Sequence, residues 1–345
     1  RVSNKSFEHR HEPAIKPSAF SRFVPTLNSP LAVQSHMHEH LIDNLLLQRY
    51  PGNGRPQAVR DEIANACKAF VKSGLADPNF TKDLCSGSEL KFWSRVSEAL
   101  LAAHLRKVGI EPEPSHNGGP DFLLIRNGRK IWIEVICPEP TGVPSDWLTF
   151  ELGSGIDFPH EQILLRWTSA IKEKAEKLIG SLDGAIKGYI EKGIVTSGDA
   201  YVIAVNGRQL RNGPFPALFG ISQFPFAVEA VFAVGPYQIR INRDTLEQTS
   251  AGHQHRPLIS KPKGAPVPAY TFLDARFQPI SAIWAVDVDG TSAVGNSEPM
   301  AVIHNPNALN PIPTGYLPAH DEYVATPIGA EEFELNRLEG CLKSR

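Results

Sequence analysis

Apolar positions recur at helical spacing through the first third of the chain. In "SPLAVQSHMHEHLIDNLLLQRYPGNG", Leu31, His38, Leu41, Leu45 and Leu46 share a face, and Pro51-Gly52 ends the run. "RPQAVRDEIANACKAFVKSGL" repeats the period with Val59, Ile63, Ala66, Cys67 and Phe70, and Gly74 is placed to end it. A longer helix is predicted over 88–109. Leu90, Trp93, Ser97, Leu100, Leu101, His104 and Val108 form its buried stripe, with Ser88 as cap and Gly109 as stop. The period then changes. "DFLLIRNGRKIWIEVI" alternates around Asn127-Gly128, which predicts a hairpin of strands over 121–126 and 130–136. A proline-rich loop over 138–160 leads to a helix over 161–180. "DAYVIAVNG", 199–207, is a continuous apolar run, as in a strand buried on both faces.

From residue 211 prolines and glycines rise and the helical period fades. "FAVEAVFAVGPYQIRIN", "ISAIWAVDVDG", "MAVIHNP" and "EYVAT" read as strands, forming either a β subdomain or an extension of the core sheet. Residues 1–30 are polar and proline-dotted and read as an extended arm. The chain thus divides into an arm and helical extension (1–80), an α/β core (81–210) and a β-rich C-terminal region (211–345).

The composition narrows the classes. Of 345 residues, 41% are hydrophobic and 21% charged, as expected for a globular chain with its own core. The 35 Lys and Arg nearly balance 37 Asp and Glu, so nucleic-acid binding would need a local basic patch. The four cysteines are far apart and form no CxxC pair, which argues against a zinc knuckle and fits a reducing, cytoplasmic setting. No apolar run reaches the ~18–20 residues of a membrane span, and the N-terminal segment shows no apolar signal-peptide core. His36 and His40 have the spacing of a zinc pair, but no third ligand accompanies them, and a solvated face is expected.

The chemistry concentrates in the predicted hairpin. Glu134 lies inside "KIWIEVIC", where an unpaired charge is costly. Register brings the start of one arm opposite the end of the other, so Asp121 falls near Glu134. Two carboxylates that close repel unless a cation joins them, and all-oxygen ligands favour a hard ion such as Mg²⁺. Glu98, at the border of the preceding helix's apolar stripe, can point toward the same end.

Glu98 in "SEALLAAHLRKVG", Pro120-Asp121 in "GGPDFLLI" and Glu134 in "IWIEVI" resemble the motif of the PD-(D/E)xK nuclease superfamily. Their spacings, 121−98 = 23 and 134−121 = 13, are similar to those of the archaeal Holliday-junction resolvases. The resemblance covers residues 85–210. It implies an α/β, restriction-endonuclease-like core with a mixed central sheet flanked by helices. It also implies Mg²⁺ or Mn²⁺ held by Asp121, Glu134 and the backbone carbonyl of Val135, with Glu98 binding directly or through water. The implied activity is phosphodiester hydrolysis of nucleic acid, with DNA the expected substrate. One position departs from the pattern: Ile136 stands where the family usually has a lysine that orients the attacking water. Arg166, Lys172 and Lys174 on the following helix are candidates to replace that lysine, and Gln162 to position the water. The same Arg166, Lys172 and Lys174, with Lys177, form a candidate phosphate-contacting wall. Two alternatives stay open: a metal site that cleaves slowly, and a catalytically inactive nuclease-fold module binding nucleic acid or a protein partner. A homodimer is also left open.

Overall fold

Four helices precede the first long strand: α1 (Pro30–Arg49), α2 (Arg55–Lys72), α3 (Phe80–Leu84) and α4 (Glu89–Lys107). Then come β1 (Glu113–Pro114), β2 (Phe122–Arg126), β3 (Arg129–Ile136), α5 (Ser145–Leu148), α6 (His160–Ile179) and β4 (Ala200–Asn206). The remainder holds α7 (Phe226–Phe232), β5 (Val234–Ile241), β6 (Gln248–His255), β7 (Leu258–Ile259) and β8 (Val267–Pro268), followed by β9 (Ala282–Val286), β10 (Met300–His304), β11 (Asp321–Pro327) and β12 (Phe333–Glu339). These elements belong to a computed structural model that describes residues 30–342 except 117, 150, 152, 154, 156, 214, 217, 262, 330 and 331. The arm expected over 1–30 therefore lies, but for its last residue, outside the described residues.

Local sequence explains the boundaries that matter for the site. The Ser88 hydroxyl accepts from the Lys91 amide at 3.4 Å and starts α4. Gly109, at φ 79°, turns the chain away after α4 in the left-handed region that glycine enters without steric cost. Asn127 and Gly128 at φ 52° and 76° supply the two left-handed residues of a tight hairpin. β2 and β3 pair antiparallel with Phe122 opposite Ile133.

Eight strands form one mixed sheet in the order β1-β2-β3-β4-β9-β10-β11-β12. β3, β4 and β9 run parallel, β9–β10 and β11–β12 are antiparallel, and β10–β11 is parallel. The protein is thus α/β with a large mixed central sheet. Of the strands in the C-terminal region, β9 to β12 extend the core sheet, whereas β5–β6 and β7–β8 form separate two-stranded ribbons. All seven residues of β4 are buried, so the unalternating apolar run is a central strand.

Alternation along the strands builds two cores. Ile131, Ile133 and Val135 face the side covered by α1 to α4, together with Val202 and Trp284. Trp132 faces the side covered by α6 and α7, with Tyr201 and Ile203. α4 and α6 therefore lie on opposite faces. One expectation fails: residues 226–232 of "FAVEAVF" are the helix α7, not a strand. Pro225 precedes its first turn and Ala233, at φ 57°, ends it. Its seven residues are all buried, so no polar face marks the helical period. The segment after it, β5, pairs only with β6, as a separate two-stranded ribbon. Among the described residues no helix is long and apolar enough to cross a membrane.

Asn206 ties these layers together at the end of β4. Its Nδ2 donates to the Ser97 hydroxyl on α4 at 2.8 Å and to the Val288 carbonyl at 3.0 Å. Its Oδ1 accepts from the Val288 amide at 3.1 Å. Asn206→Ala takes their partner from the Val288 amide and carbonyl, while the Ser97 hydroxyl keeps the Trp93 carbonyl, and is expected to cost about 2–4 kcal/mol in urea denaturation. A loss below about 0.5 kcal/mol would show that the bridge carries no stability.

Candidate active site

A cavity of about 500 Å³ opens beyond the ends of the hairpin strands. Asp121, just before β2, forms its floor with Val135, Ile136 and Cys137 at the end of β3. Lys91, Arg95 and Glu98 enter from α4 on one side, and Arg166, Glu173, Lys174 and Lys177 from α6 on the other.

Glu134 points to the α6 side and is 2% exposed. Lys174 Nζ and Lys177 Nζ both donate to its Oε1 at 2.8 Å, and the Tyr189 hydroxyl donates to Oε2 at 3.2 Å. Burial alone would raise its pKa, but the two ammonium groups outweigh burial and hold the carboxyl below its ordinary range. Lys174 is itself buried, which opposes its charge. Glu134 and then Asp121 more than compensate and raise its pKa. Burial raises the Tyr189 pKa, and the adjacent Glu134 carboxylate adds to it, so the phenol stays a donor.

Asp121 has a different environment. Its Oδ2 accepts from the Val135 amide at 2.6 Å, and no other hydrogen bond reaches the carboxylate among the described residues. Burial, and then repulsion from Glu134, push its pKa up to about 6. Glu98 is raised well above the usual carboxylate value by burial and then by Asp121, although Arg95 Nη1 donates to both its oxygens at 3.2 Å. Arg95 also pairs with Asp77 at 2.7 Å and Asp83 at 2.8 Å. The guanidinium is thus divided among three acids. The cleft gathers more acid than base: Asp77, Asp83, Glu98, Asp121, Glu139 and Glu173 against Lys91, Arg95, Arg166, Lys174 and Lys177.

The structure brings some of the expected residues together and separates others. Asp121 touches the influence of both glutamates, but Glu98 and Glu134 reach it from opposite faces of the sheet. Among the described residues no group of three or more His, Cys, Asp or Glu is placed to hold one metal ion. The ready-made ligand set expected of Glu98, Asp121 and Glu134 is therefore not assembled, because Glu134 turns to the lysines of α6. Lys174 lies on Glu134, and Arg166 lines the cleft, its Nε donating to the Glu139 carbonyl at 2.7 Å. Lys172 and Gln162 do not line it. Lys172 is exposed and stands 3.9 Å from Glu176, because its position on α6 is turned about 200° from that of Lys174. Lys177, expected on the basic wall of this helix, follows Lys174 by three positions on one face and reaches Glu134 with it. Tyr189 was not singled out in the sequence. It arrives from a loop, where no period announces it.

Two of the other histidines have local partners. His38 hydrogen-bonds Thr81 at 2.8 Å, and His304 packs on Glu322 at 2.7 Å.

A carboxyl whose pKa rises on folding binds its proton more tightly when folded. Ionised Asp121 therefore costs stability above pH 6, and the cost fades as pH falls toward 3.8, its unfolded value. Asp121→Asn should stabilise the protein at pH 7 by about 1–3 kcal/mol, discounted because the side chain borders the cleft. Denaturation midpoints of variant and parent should converge near pH 4. A variant less stable than the parent at pH 7 would contradict the reading of Asp121 as a strained charge. Compared with family models, with curated proteins and with solved structures, the chain gives no match.

Proposed function

We propose that the protein is a metal-dependent phosphodiester hydrolase acting on nucleic acid, DNA foremost, built on a restriction-endonuclease-like core. The order α4, β2, β3, α6, β4, with an antiparallel hairpin and a parallel return strand, supports that core. The observation that carries the reading is the lysine on Glu134. Lys174, from the neighbouring helix, reaches the acid that a lysine at position 136 would neighbour, so Ile136 does not leave the site without a cation.

The donor chemistry fits a hard divalent ion, Mg²⁺ or Mn²⁺. Asp121 is pushed toward protonation by burial and then by Glu134, and Glu98 by burial and then by Asp121, so added positive charge would relieve both. Asp121 and the carbonyl of Val135, at the floor of the cleft, would hold the ion, with Glu98 from the α4 side, and Glu134 would join them by exchanging a lysine or Tyr189 for the metal. Such an ion polarises a phosphodiester and lowers the pKa of a bound water. The chain's own groups do the rest. Lys174 and Lys177 orient Glu134 and stand ready to face negative charge that develops beside it. Tyr189 fixes the second oxygen of Glu134. Arg166 lies at the rim, where a flanking phosphate can meet it. Because acids exceed bases in the cleft, phosphate binding there should depend on the metal.

One observation favours a second reading, a nuclease-fold module that binds without cleaving. Both oxygens of Glu134 already have donors, so a metal must compete with two lysines and a tyrosine.

Incubation with single- and double-stranded DNA and RNA, with Mg²⁺ or Mn²⁺, separates the two. The hydrolase reading expects metal-dependent cleavage, abolished by Glu134→Ala and lowered about 10²–10³-fold by Lys174→Ala. Ile136→Lys should change the rate little, because the ammonium is already supplied. Absence of cleavage on every substrate would leave the binding module.

A further inference from the structure

A second cavity, of about 640 Å³, lies beside the first on the other side of the segment leaving β3. The two share neighbouring stretches of chain. Leu90, Lys91, Ser94 and Arg95 of α4 line the first, and Glu89 and Trp93 the second. Pro138 and Glu139 border the first, and Pro140 the second. Their charges differ in sign. The first holds six acids against five bases, whereas Arg49, Arg208 and Arg211 of the second face Glu89 and Asp289.

Arg208 is the unusual member. Its guanidinium packs 4.4 Å from the centre of the Trp93 ring. It donates no hydrogen bond among the described residues, although its side chain is 26% exposed. Its Nε lies 3.1 Å from Asp289 without the angle a hydrogen bond needs. That carboxylate is already engaged by Arg211 and by the Thr291 hydroxyl at 2.6 Å. Arg211 uses its terminal nitrogens on Asp287 and Asp289, and its Nε too lacks a partner. Burial, and then the neighbouring Arg211, make it harder for Arg208 to keep its proton. Arg49, across the cavity, is held by Glu89 at 2.6 Å and packs 3.9 Å from the Phe92 ring. A guanidinium carries five N–H donors in a fixed fork, so Arg208 presents an unspent donor set to the cavity. The paired acceptor oxygens of a phosphate, diester or terminal, match that fork, and water does so less well.

We propose that this arginine cavity binds a second phosphate of the nucleic-acid substrate, next along the strand from the phosphate in the acidic cleft. The proposal rests on the hydrolase reading for its substrate class. The division of labour follows from charge. The acidic cleft needs a metal before it accepts phosphate, whereas the arginine cavity needs none. Strand binding without metal therefore falls to Arg208 and Arg49, with Arg211 holding the acids behind them.

The test measures binding by the full-length chain in EDTA at fixed ionic strength, using calorimetry. The probes are inorganic phosphate and a short single-stranded DNA bearing either a 5′-phosphate or a 5′-hydroxyl. The parent protein should bind phosphate-bearing DNA. Arg208→Gln and Arg49→Gln should each weaken that binding about 10- to 100-fold, and Lys187→Gln, at an exposed lysine that lines neither cavity, should leave it unchanged. Preference for the 5′-phosphate assigns the cavity to a strand end, and equal binding of the two DNAs assigns it to an internal diester. Arg49 is partly exposed, so its variant keeps the test open should Arg208→Gln not fold. Parent-like affinity in a folded variant of either arginine, or no binding of any probe by the parent, would overturn the proposal. Phosphate binding that persists in a protein showing no metal-dependent cleavage would retire the hydrolase reading and leave this site standing.

Discussion

The site depends on how Glu134 is kept ionised inside a core. A carboxylate 2% exposed would ordinarily be a severe liability, and here two ammonium groups and a phenol satisfy it. The consequences spread outward. Lys174 must be buried to reach Glu134, which sets the rotation of α6 over the sheet. The same α6 face carries Trp167 and Ile171 into the core between Tyr201 and Ile203. Asp121 then lacks a partner beyond one backbone amide and is left with unrelieved charge. Strain of this kind at the end of a hairpin, rather than in the core proper, is the pattern expected where stability is given up for function.

The two sides of the sheet supply opposite electrostatics. On the α4 side, Arg95 is shared by Asp77, Asp83 and Glu98, so acids outnumber the cation. On the α6 side, Lys174 and Lys177 outnumber Glu134. Asp121 lies between them at the sheet end. Acid thus lines one wall of the cleft and ammonium the other, and a further guanidinium cluster lies beyond the exit of β3. Under the proposed hydrolase reading, these would grip a strand at one phosphate and activate it at the next.

Much of this was legible in the chain. Asn127-Gly128 announced the hairpin, Ser88 and Gly109 bounded α4, and the unalternating run of β4 gave its central place. Asp121 and Glu134 stood out because charge at those positions needs a reason. What could not be read was which face each acid takes relative to the others. The spacing of Glu98, Asp121 and Glu134 suggested convergence, but a sheet lies between α4 and α6. The choice of Lys174 over Lys172 likewise depends on helix rotation, which packing decides rather than composition. α7 was missed because a helix buried all round shows no polar stripe. Arg208 carried no signal, since its significance lies in hydrogen bonds it does not make.

The central claim is that Asp121 is an ionisable group short of positive charge which a divalent cation would supply. Carboxyl-carbon NMR of the selectively labelled protein, titrated with pH, measures this directly. Without metal, Asp121 should titrate near pH 6, and saturating Mg²⁺ should move the transition several units lower. A titration near the ordinary 3.8 that Mg²⁺ leaves in place would contradict the account.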